Sequence, residues 1–220
     1  MLLAVDTSTT QVGIALYDGA QVIGEFAWRS SQRHTVELAP AISDLLTRCG
    51  LTMDEVKALG VALGPGSFTS LRVGLALAKG LALSKDIPLI GISTLDILAQ
   101  AQPASKLPLG VAIQAGRSRF ALGWYKNSKE GWQAEGQARI VTIDEINAEV
   151  ESPSILCGEF PAETRQTIKN KNLQLVSPAG SIRRPAILAE LTWARWQADD
   201  VDDAASLSPI YLQTDGTASI

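Results

Sequence analysis

The sequence predicts an α/β protein of two lobes, in which each lobe has a mixed sheet and helices. Three short strands open the chain, LLAVD, VGIALYD and QVIGEFAW, and the Asp18-Gly19 pair between the last two is a strong hairpin signal. A buried strand, LGVALG, comes later and leads through the glycine-containing loop GPGSFTSLR into a long helix. The same order of elements begins again at Leu107. A repeated order of this kind predicts a duplicated unit.

Three helices are predicted in the first lobe. Residues 35–49 place apolar side chains at helical spacing, and residues 67–84 form the long helix behind the loop. Thr52 and Glu55 have the spacing of a capping box, which predicts one short helical turn. A third helix over residues 94–102 is expected to end at the proline that follows it, because proline cannot continue a helix.

The second half aligns with the first at an offset of 108 positions (114 − 6), which places Gln114 where Asp6 stands. Hairpin strands come first in both halves, then a strand, a glycine and a helix, and a helix over residues 182–197 nearly closes the chain. A duplicated ribonuclease-H-like unit of this kind is the plan of the actin/Hsp70-like (ASKHA) fold, in which two lobes face a cleft. We place the N-terminal lobe at residues 1–102 and the C-terminal lobe at residues 103–220.

Composition and charge exclude several classes of protein. The formal charge of −4 and the pI near 5.1 argue against a large basic surface for nucleic acid. No membrane span and no signal peptide are visible, so we expect a cytoplasmic protein. Cys49 and Cys157 lie in apolar runs, which favours inert thiols over a disulfide framework or a catalytic cysteine. The single histidine, His34, cannot form a two-histidine metal site, so no metal is expected.

The end of the first strand holds the candidates for a nucleotide site. Asp6, Thr7, Ser8 and Thr9 offer a carboxylate for Mg²⁺ and hydroxyls for phosphate, as the first hairpin of the ASKHA fold does. The alternative is that Asp6 caps a tight hairpin and that its neighbours are ordinary turn residues. Gln114 cannot replace a carboxylate as a base or as a tight magnesium ligand, which argues against vigorous ATP hydrolysis.

Two further features offer weaker anion sites. Arg117 and Arg119 stand on the second hairpin, where the alternative is a pair of solvated side chains. The loop GPGSFTSLR lacks the GK[ST] ending of a P-loop, and Ser67 is placed to N-cap the long helix. Because a helix N-terminus attracts anions, a weak phosphate site stays open at this helix.

The long helix over residues 67–84 is apolar on more than one face. Leu71 and Leu75 share one stripe, whereas Leu77 lies to the side. A sheet covers only one face, so a second face needs a neighbour, either the helix over residues 35–49 or another subunit. We favour both, which makes this surface a helical dimerisation patch. The alternative is a core helix that is buried within one chain.

Three segments resemble the bacterial TsaB (YeaZ) family: LLAVDTSTTQVGIALYD, SSQRHTVELAPAI and above all GPGSFTSLRVGLALAKGLAL. The similarity is strong in the first half of the chain and looser in the second, where it rests on AIQAGRSRFALGWY, LCGE and SPIYLQ. The resemblance implies the actin/Hsp70-like two-lobed fold. It also implies a non-catalytic relative of TsaD, the enzyme that transfers a threonylcarbamoyl group to adenosine 37 of tRNAs that read ANN codons.

The role implied by the resemblance is an accessory subunit that binds and activates TsaD together with the ATPase TsaE. It implies a TsaD heterodimer, a homodimer in isolation through the same first-lobe helices, and tRNA contact mainly through TsaD. No catalytic residue, metal or peptidase activity is implied, and no cofactor beyond weak ATP or ADP binding. The implied interface residues are His34, Val36, Leu38 and Ile42 on one helix, with Phe68, Leu71, Arg72, Leu75 and Lys79 on the other.

Two positions depart from the family pattern. Ser70 stands where family members often have glycine, and Gln114 stands where they often have aspartate. The first departure should matter little at a helix start, whereas the second further lowers any expectation of nucleotide hydrolysis. The competing hypothesis is a nucleotide-dependent phosphotransferase or ATPase that uses Asp6 and the hydroxyl run.

Overall fold

A computed structural model describes residues 1–31, 33–116 and 118–212 of the protein. Its contacts divide the chain into two compact units. Unit 1 holds Met1–Ile97 together with Arg183–Ile210, and unit 2 is built on Leu98–Ile182. None of the helices in the described stretches has both the length and the apolar character that a membrane span requires.

The sheet of unit 1 has five strands: β1 (Leu2–Asp6), β2 (Gln11–Tyr17), β3 (Val22–Arg29), β4 (Ala58–Gly64) and β5 (Leu89–Ser93). Their order is β3-β2-β1-β4-β5, with β1, β2 and β3 antiparallel and with β4 and β5 parallel to β1. Asp18 accepts hydrogen bonds from the backbone N–H groups of Ala20 and Gln21 in the turn between β2 and β3. The predicted meander and its hairpin turn are therefore confirmed.

Helices cover both faces of this sheet. The helices of the described chain are α1 (His34–Arg48), α2 (Phe68–Lys85), α3 (Thr94–Gln100), α4 (Ile143–Glu149), α5 (Ala162–Thr167) and α6 (Pro185–Gln197). One core joins Leu3 of β1 to α1 and α2, and a second core joins Leu2 of β1 to Leu188 of α6. Because β1 is covered on both sides, all of its residues are buried, which explains its nearly continuous apolar sequence.

Unit 2 repeats the strand order of unit 1. Its strands are β6 (Leu109–Gln114), β7 (Phe120–Ser128), β8 (Gly131–Val141), β9 (Ser154–Gly158) and β10 (Leu173–Leu175). Read from β8, the order is β8-β7-β6-β9-β10, with the same antiparallel and parallel pairings as in unit 1. Gln114 ends β6 as Asp6 ends β1. The duplicated α/β plan predicted from the sequence is therefore confirmed.

The closing helix differs most from the sequence expectation. The predicted division assigned residues 103–220 to the second lobe, but α6 packs its Leu188 and Ala189 against the sheet of unit 1. Apolar side chains of α6 cover the face of β1 that α1 and α2 leave open, so Arg183–Ile210 belong to the first unit. The helix begins at Pro185 rather than at residue 182, because proline is favoured at the first helical position.

Two local predictions hold. The capping box of Thr52 and Glu55 is present at a single 3₁₀ turn. Helices α1 and α2 begin and end within one residue of the predicted positions 35–49 and 67–84. The two helices that the sequence linked to a partner are thus formed as expected.

Candidate functional site

Helices α1 and α2 lie side by side on the sheet of unit 1 and leave a groove between them. One hollow in the groove has a volume of about 530 Å³. A neighbouring hollow of about 350 Å³ shares Ala39 and Leu77 with it. We refer to the two hollows together as the groove. The lining is dominated by aliphatic and small side chains from both helices.

Two large apolar side chains of α1 and α2 are open to solvent, and Phe68 lines the groove whereas Val36 lines neither hollow. Phe68 on α2 is 52% exposed and Val36 on α1 is 64% exposed. The guanidinium carbon of Arg72 lies 3.7 Å from the centre of the Phe68 ring, which is a cation–π contact. An apolar groove lined by an exposed aromatic and an arginine side chain is typical of protein–protein contact regions.

The nine predicted interface residues divide into buried and accessible ones. Five of them are buried within unit 1: His34, Leu38, Ile42, Leu71 and Leu75. The first three still line the groove, whereas Leu71 and Leu75 line neither hollow. Leu75 is only 5% exposed and belongs to the core beneath α2. The structure therefore assigns Leu71 and Leu75 to packing inside the chain, because their stripe of the helix faces the sheet.

Two of the remaining predicted residues differ in their surroundings. Arg72 lines the groove together with Phe68. The ammonium group of Lys79 donates a hydrogen bond to the carbonyl oxygen of Ala205 at 3.2 Å, so it is bonded to a later segment of the same unit. Arg72 is thus better placed for contact with another chain than Lys79 is.

The nine predicted interface residues leave out part of the groove lining. The lining residues of the larger hollow outside that set are Thr35, Ala39, Thr69, Val73, Ala76 and Leu77. Of these, Leu77 lies on the side face of the helix for which the sequence predicts a neighbour. The sequence carries a signal for this face, since Ala76 and Gly80 are small residues four positions apart. Both are exposed on α2 in the structure. Nothing lies within 4 Å of a Cβ placed on Gly80, so this part of α2 is open to close approach.

Asp6, the predicted magnesium ligand at the end of β1, forms a buried ion pair with Arg183. The Nε atom of Arg183 donates to Asp6 Oδ2 at 2.7 Å. Its Nη2 atom donates to Thr9 Oγ1 at 3.1 Å and to the carbonyl oxygen of Gln11 at 2.9 Å. The other oxygen of Asp6, Oδ1, accepts the backbone N–H of Ser8 at 2.8 Å. The carboxylate is therefore already neutralised by a cation of the chain itself.

The hydroxyl groups of Thr7 and Ser8 are also hydrogen-bonded within unit 1. Thr7 Oγ1 donates to the carbonyl oxygen of Ser70 at 2.7 Å. Ser8 Oγ shares a hydrogen bond of 2.8 Å with Thr94 Oγ1. The carbonyl oxygen of Ser8 accepts the backbone N–H of Ser67 at 2.7 Å. These bonds tie the loop between β1 and β2 to the first turns of α2 and α3.

The loop between β1 and β2 is packed tightly against α2, and its carboxylate is paired within the chain. A Cβ atom on Gly66 would collide with the Ser8 carbonyl, and a Cβ on Gly74 would collide with Thr7 Oγ1, so α2 lies tightly against the loop. Over the described residues, no group of three or more His, Cys, Asp and Glu side chains is arranged to hold a metal ion. An incoming metal cation would have to displace Arg183 from Asp6.

The remaining candidate anion sites are surface features. Gln114 Nε2 donates to the carbonyl oxygen of Gly116 at 3.0 Å, and Arg119 is exposed. Arg117 lies outside the described residues. Ser67 occupies the N-cap position of α2, but its side chain makes no capping hydrogen bond and instead accepts one from Ser70 Oγ at 3.0 Å. The predicted N-cap position of Ser67 is confirmed, but its hydroxyl bonds the hydroxyl of Ser70 and not a backbone N–H of the first turn.

Comparison with known proteins decides the family. A family model described as TsaD, tRNA N6-adenosine threonylcarbamoyltransferase, matches residues 26–171. The chain is 39% identical over 162 residues to the tRNA threonylcarbamoyladenosine biosynthesis protein TsaB of Escherichia coli (strain K12), which is 72% of this chain and 68% of that protein. The chain belongs to the TsaB family. The resemblance seen in the sequence is confirmed.

Other matches agree with the TsaB assignment. The TsaB protein of Haemophilus influenzae is 46% identical over 102 residues, which is 46% of this chain and 42% of that protein. The solved structure of YeaZ from Pseudomonas aeruginosa superposes with a TM-score of 0.80, covers 96% of this chain and 99% of its own, and is 24% identical. At that identity the likeness shows the fold alone, and it confirms the predicted actin-like, ribonuclease-H-like architecture.

The two cysteines of this TsaB-family chain have different surroundings. Cys49 is half-buried, whereas Cys157 on β9 is fully buried. Desolvation raises the pKa of the Cys157 thiol to about 11, against a smaller lowering by its hydrogen bond with Ser181. Because the thiolate is the reactive form, a raised pKa makes Cys157 a poor nucleophile. This agrees with the inert role predicted for it.

We expect Cys157 to resist alkylation in the folded protein. At pH 8, about three units below its pKa, roughly one thiol in a thousand is ionised. In a Cys49→Ser variant, which leaves one cysteine, iodoacetamide should add no label to the native chain and one label in urea, as measured by intact mass. Rapid labelling of the native variant would contradict the burial of this thiol.

Proposed function

We propose that this chain is a non-catalytic subunit required for threonylcarbamoylation of adenosine 37 in tRNAs that read ANN codons. It acts by binding and activating a TsaD-type enzyme through the groove between α1 and α2. The observation that carries the proposal is this apolar groove, with Phe68 exposed in its lining, in a chain of the TsaB family. The match to the TsaD family model supports a partner of related architecture.

The loop at Asp6 supports a binding role over a catalytic one. A phosphotransferase or ATPase of this fold needs a carboxylate that is free to hold Mg²⁺ near the phosphates. Here Asp6 is 2% exposed and paired with Arg183, and the corresponding position of unit 2 is Gln114. These features favour a chain that lends its surface to an enzyme rather than its own chemistry.

The proposed assembly includes TsaE in a ternary complex. In isolation the same groove pairs two copies of this chain, so the homodimer and the TsaD heterodimer compete. The formal charge of −4 makes a large tRNA-binding surface on this chain unfavourable, and tRNA is contacted mainly through the TsaD-type subunit.

Reconstitution tests the proposed function. The chain is mixed with TsaD, TsaE, a TsaC-type enzyme, threonine, bicarbonate, Mg-ATP and unmodified tRNA, and the modified adenosine is measured by mass spectrometry. Each protein is omitted in turn. Product should be lost when this chain is left out and should return when it is added. Equal product with and without the chain would overturn the proposal.

The competing phosphotransferase or ATPase hypothesis makes an opposite forecast for the chain alone. It requires Mg²⁺-dependent ATP turnover that is lost in an Asp6→Asn variant. We expect no turnover above the rate of a heat-denatured sample. Turnover by the wild-type chain that disappears in Asp6→Asn would favour the enzyme.

A further inference from the structure

The loop between β1 and β2 contacts the starts of several helices at once. Thr7 is bonded to Ser70 in the first turn of α2, and Ser8 is bonded to Thr94 at the first residue of α3. The carbonyl oxygen of Thr9 lies 3.1 Å from Nε2 of His34, the first residue of α1. Because a carbonyl only accepts, the imidazole Nε2–H is the donor of this bond.

Arg183 completes the set from the other end of the chain. It stands two residues before α6 and is 177 positions from Asp6 in the sequence. Its side chain is fully shielded from solvent, and one Nη2 atom bonds both Thr9 Oγ1 and the carbonyl oxygen of Gln11. The guanidinium therefore holds the end of β1 and the start of β2 in one arrangement.

A short path of contacts leads from Arg183 to the groove. Arg183 bonds the side chain of Thr9, and the backbone carbonyl of Thr9 bonds His34. His34 is buried and lines the larger hollow of the groove. On the α2 side, Gly74 lies so close to Thr7 that a Cβ would collide with it. The loop thus contacts both helices that form the groove.

We propose that Arg183 is a positioning residue for the partner-binding groove. Its guanidinium occupies the position beside Asp6 that a metal cation would otherwise take. The β1–β2 loop in turn fixes the N-terminal ends of α1 and α2 at the spacing that the partner requires. The proposal rests on the proposed function, in that the groove binds another chain. The loop that would hold phosphate in a nucleotide-binding protein of this fold here supports a protein interface.

Lysine is not an equivalent residue at this position. The planar guanidinium donates in several fixed directions at once, and it reaches Asp6, Thr9 and Gln11 together. An ammonium group at the end of a lysine side chain keeps the charge that Asp6 needs, but it lacks the fork that spans these acceptors. Arg183→Lys therefore separates charge neutralisation from positioning.

His34 gives a direct reporter of this positioning, because it is the single histidine of the sequence. In an untagged protein its ring carbon–proton signals in a ¹H–¹³C NMR spectrum need no assignment. We expect the chemical shifts of these signals to change in Arg183→Lys and in Thr9→Val. The second variant removes the loop hydroxyl that accepts a hydrogen bond from Arg183. The matched control is Arg184→Lys, since Arg184 is the neighbouring residue and forms an exposed ion pair with Glu25. The His34 signals should stay in place in this control.

Affinity for the cognate TsaD-type subunit, measured by calorimetric titration, gives the second readout. We expect the dissociation constant to rise about tenfold in Arg183→Lys and in Thr9→Val, and to stay unchanged in Arg184→Lys. Unchanged His34 signals in folded Arg183→Lys would overturn the inference, and so would moved signals with an unchanged dissociation constant. If Arg183→Lys does not melt cooperatively, Thr9→Val decides the matter by the same two measurements.

The groove itself is tested separately with Ala76→Asp, which leaves Arg183 and the loop untouched. If Ala76→Asp binds the TsaD-type subunit as tightly as the wild type does, the groove is not the binding surface and the proposed function fails in that respect. If Ala76→Asp loses binding while folded Arg183→Lys and Thr9→Val keep it, only the positioning role of Arg183 fails.

Discussion

Ala76→Asp is expected to weaken binding of the TsaD-type subunit by about 100-fold or more while the chain stays folded. Ala76 is exposed on α2 and lines the larger hollow of the groove. In the free monomer the new carboxylate is solvated, and the loss of helix propensity is about 0.7 kcal/mol or less. In the complex the same carboxylate is removed from water against a mostly apolar lining, and we expect this cost to exceed what pairing with Arg72, four residues earlier on α2, returns. Calorimetric titration measures the affinity, and thermal melting measures the fold.

Ala194→Asp is the matched control for this variant. Ala194 is also an exposed alanine in a helix of unit 1, but it lies on α6 and does not line the groove. The Ala194→Asp variant should bind the TsaD-type subunit with the affinity of the wild type. Leu75→Asp is expected to unfold unit 1 instead, because Leu75 is a core residue. Equal affinities of Ala76→Asp and Ala194→Asp would contradict the assignment of the groove.

Arg183→Met should lower the free energy of unfolding by about 3–5 kcal/mol, since it leaves the carboxylate of Asp6 buried without its cation. Asp6→Asn should also destabilise the chain, for the converse reason. The double variant Asp6→Asn/Arg183→Met should be less unstable than the sum of the two single variants, because it buries no uncompensated charge. Urea unfolding of the four proteins gives this coupling directly.

An ion pair whose arginine is exposed to solvent provides the reference for that cycle. Arg184 pairs with Glu25 at the surface, and 60% of the Arg184 side chain is exposed. Arg184→Met should therefore change the free energy of unfolding by about 1 kcal/mol or less. A buried and coupled pair would be contradicted if Arg183→Met lost no more free energy of unfolding than Arg184→Met. It would also be contradicted if the loss in the double variant equalled the sum of the losses in Asp6→Asn and Arg183→Met.

Local patterns in the sequence predict the elements that form the groove. The apolar spacing over residues 35–49 and the glycine-containing loop before residue 67 define α1 and α2 within one residue of their observed ends. The repeated order of strands, with Gln114 in the place of Asp6, predicts the duplicated sheet. Each of these elements can be recognised from its own stretch of residues, so a single sequence is enough to predict it.

The orientation of α2 could not be predicted in the same way. The helix is apolar nearly all round, so its periodicity does not show which stripe faces the sheet. Leu75 and Leu77 look equivalent in the sequence, yet Leu75 is in the core and lines no hollow, while Leu77 lines both. The side of the helix that another chain can reach is set by tertiary packing.

The ion-pair partner of Asp6 could not be predicted because it is far away along the chain. Arg183 is separated from Asp6 by 177 positions, and it reaches the loop only because α6 returns to cover the sheet of unit 1. In the sequence Asp6 and its hydroxyl neighbours have the composition of a phosphate loop, and that composition is the same whether or not a cation of the chain fills it. The closed state of the loop follows from long-range topology.

The central claim is that this chain contributes a binding surface, not chemistry of its own, to tRNA modification. The most direct test is to add increasing amounts of wild-type, Ala76→Asp or Ala194→Asp protein to a reconstituted reaction that lacks this chain, and to measure modified adenosine. The account predicts full product with the wild type and Ala194→Asp, and product near the no-addition level with folded Ala76→Asp. Full product with Ala76→Asp at equal concentration would contradict it.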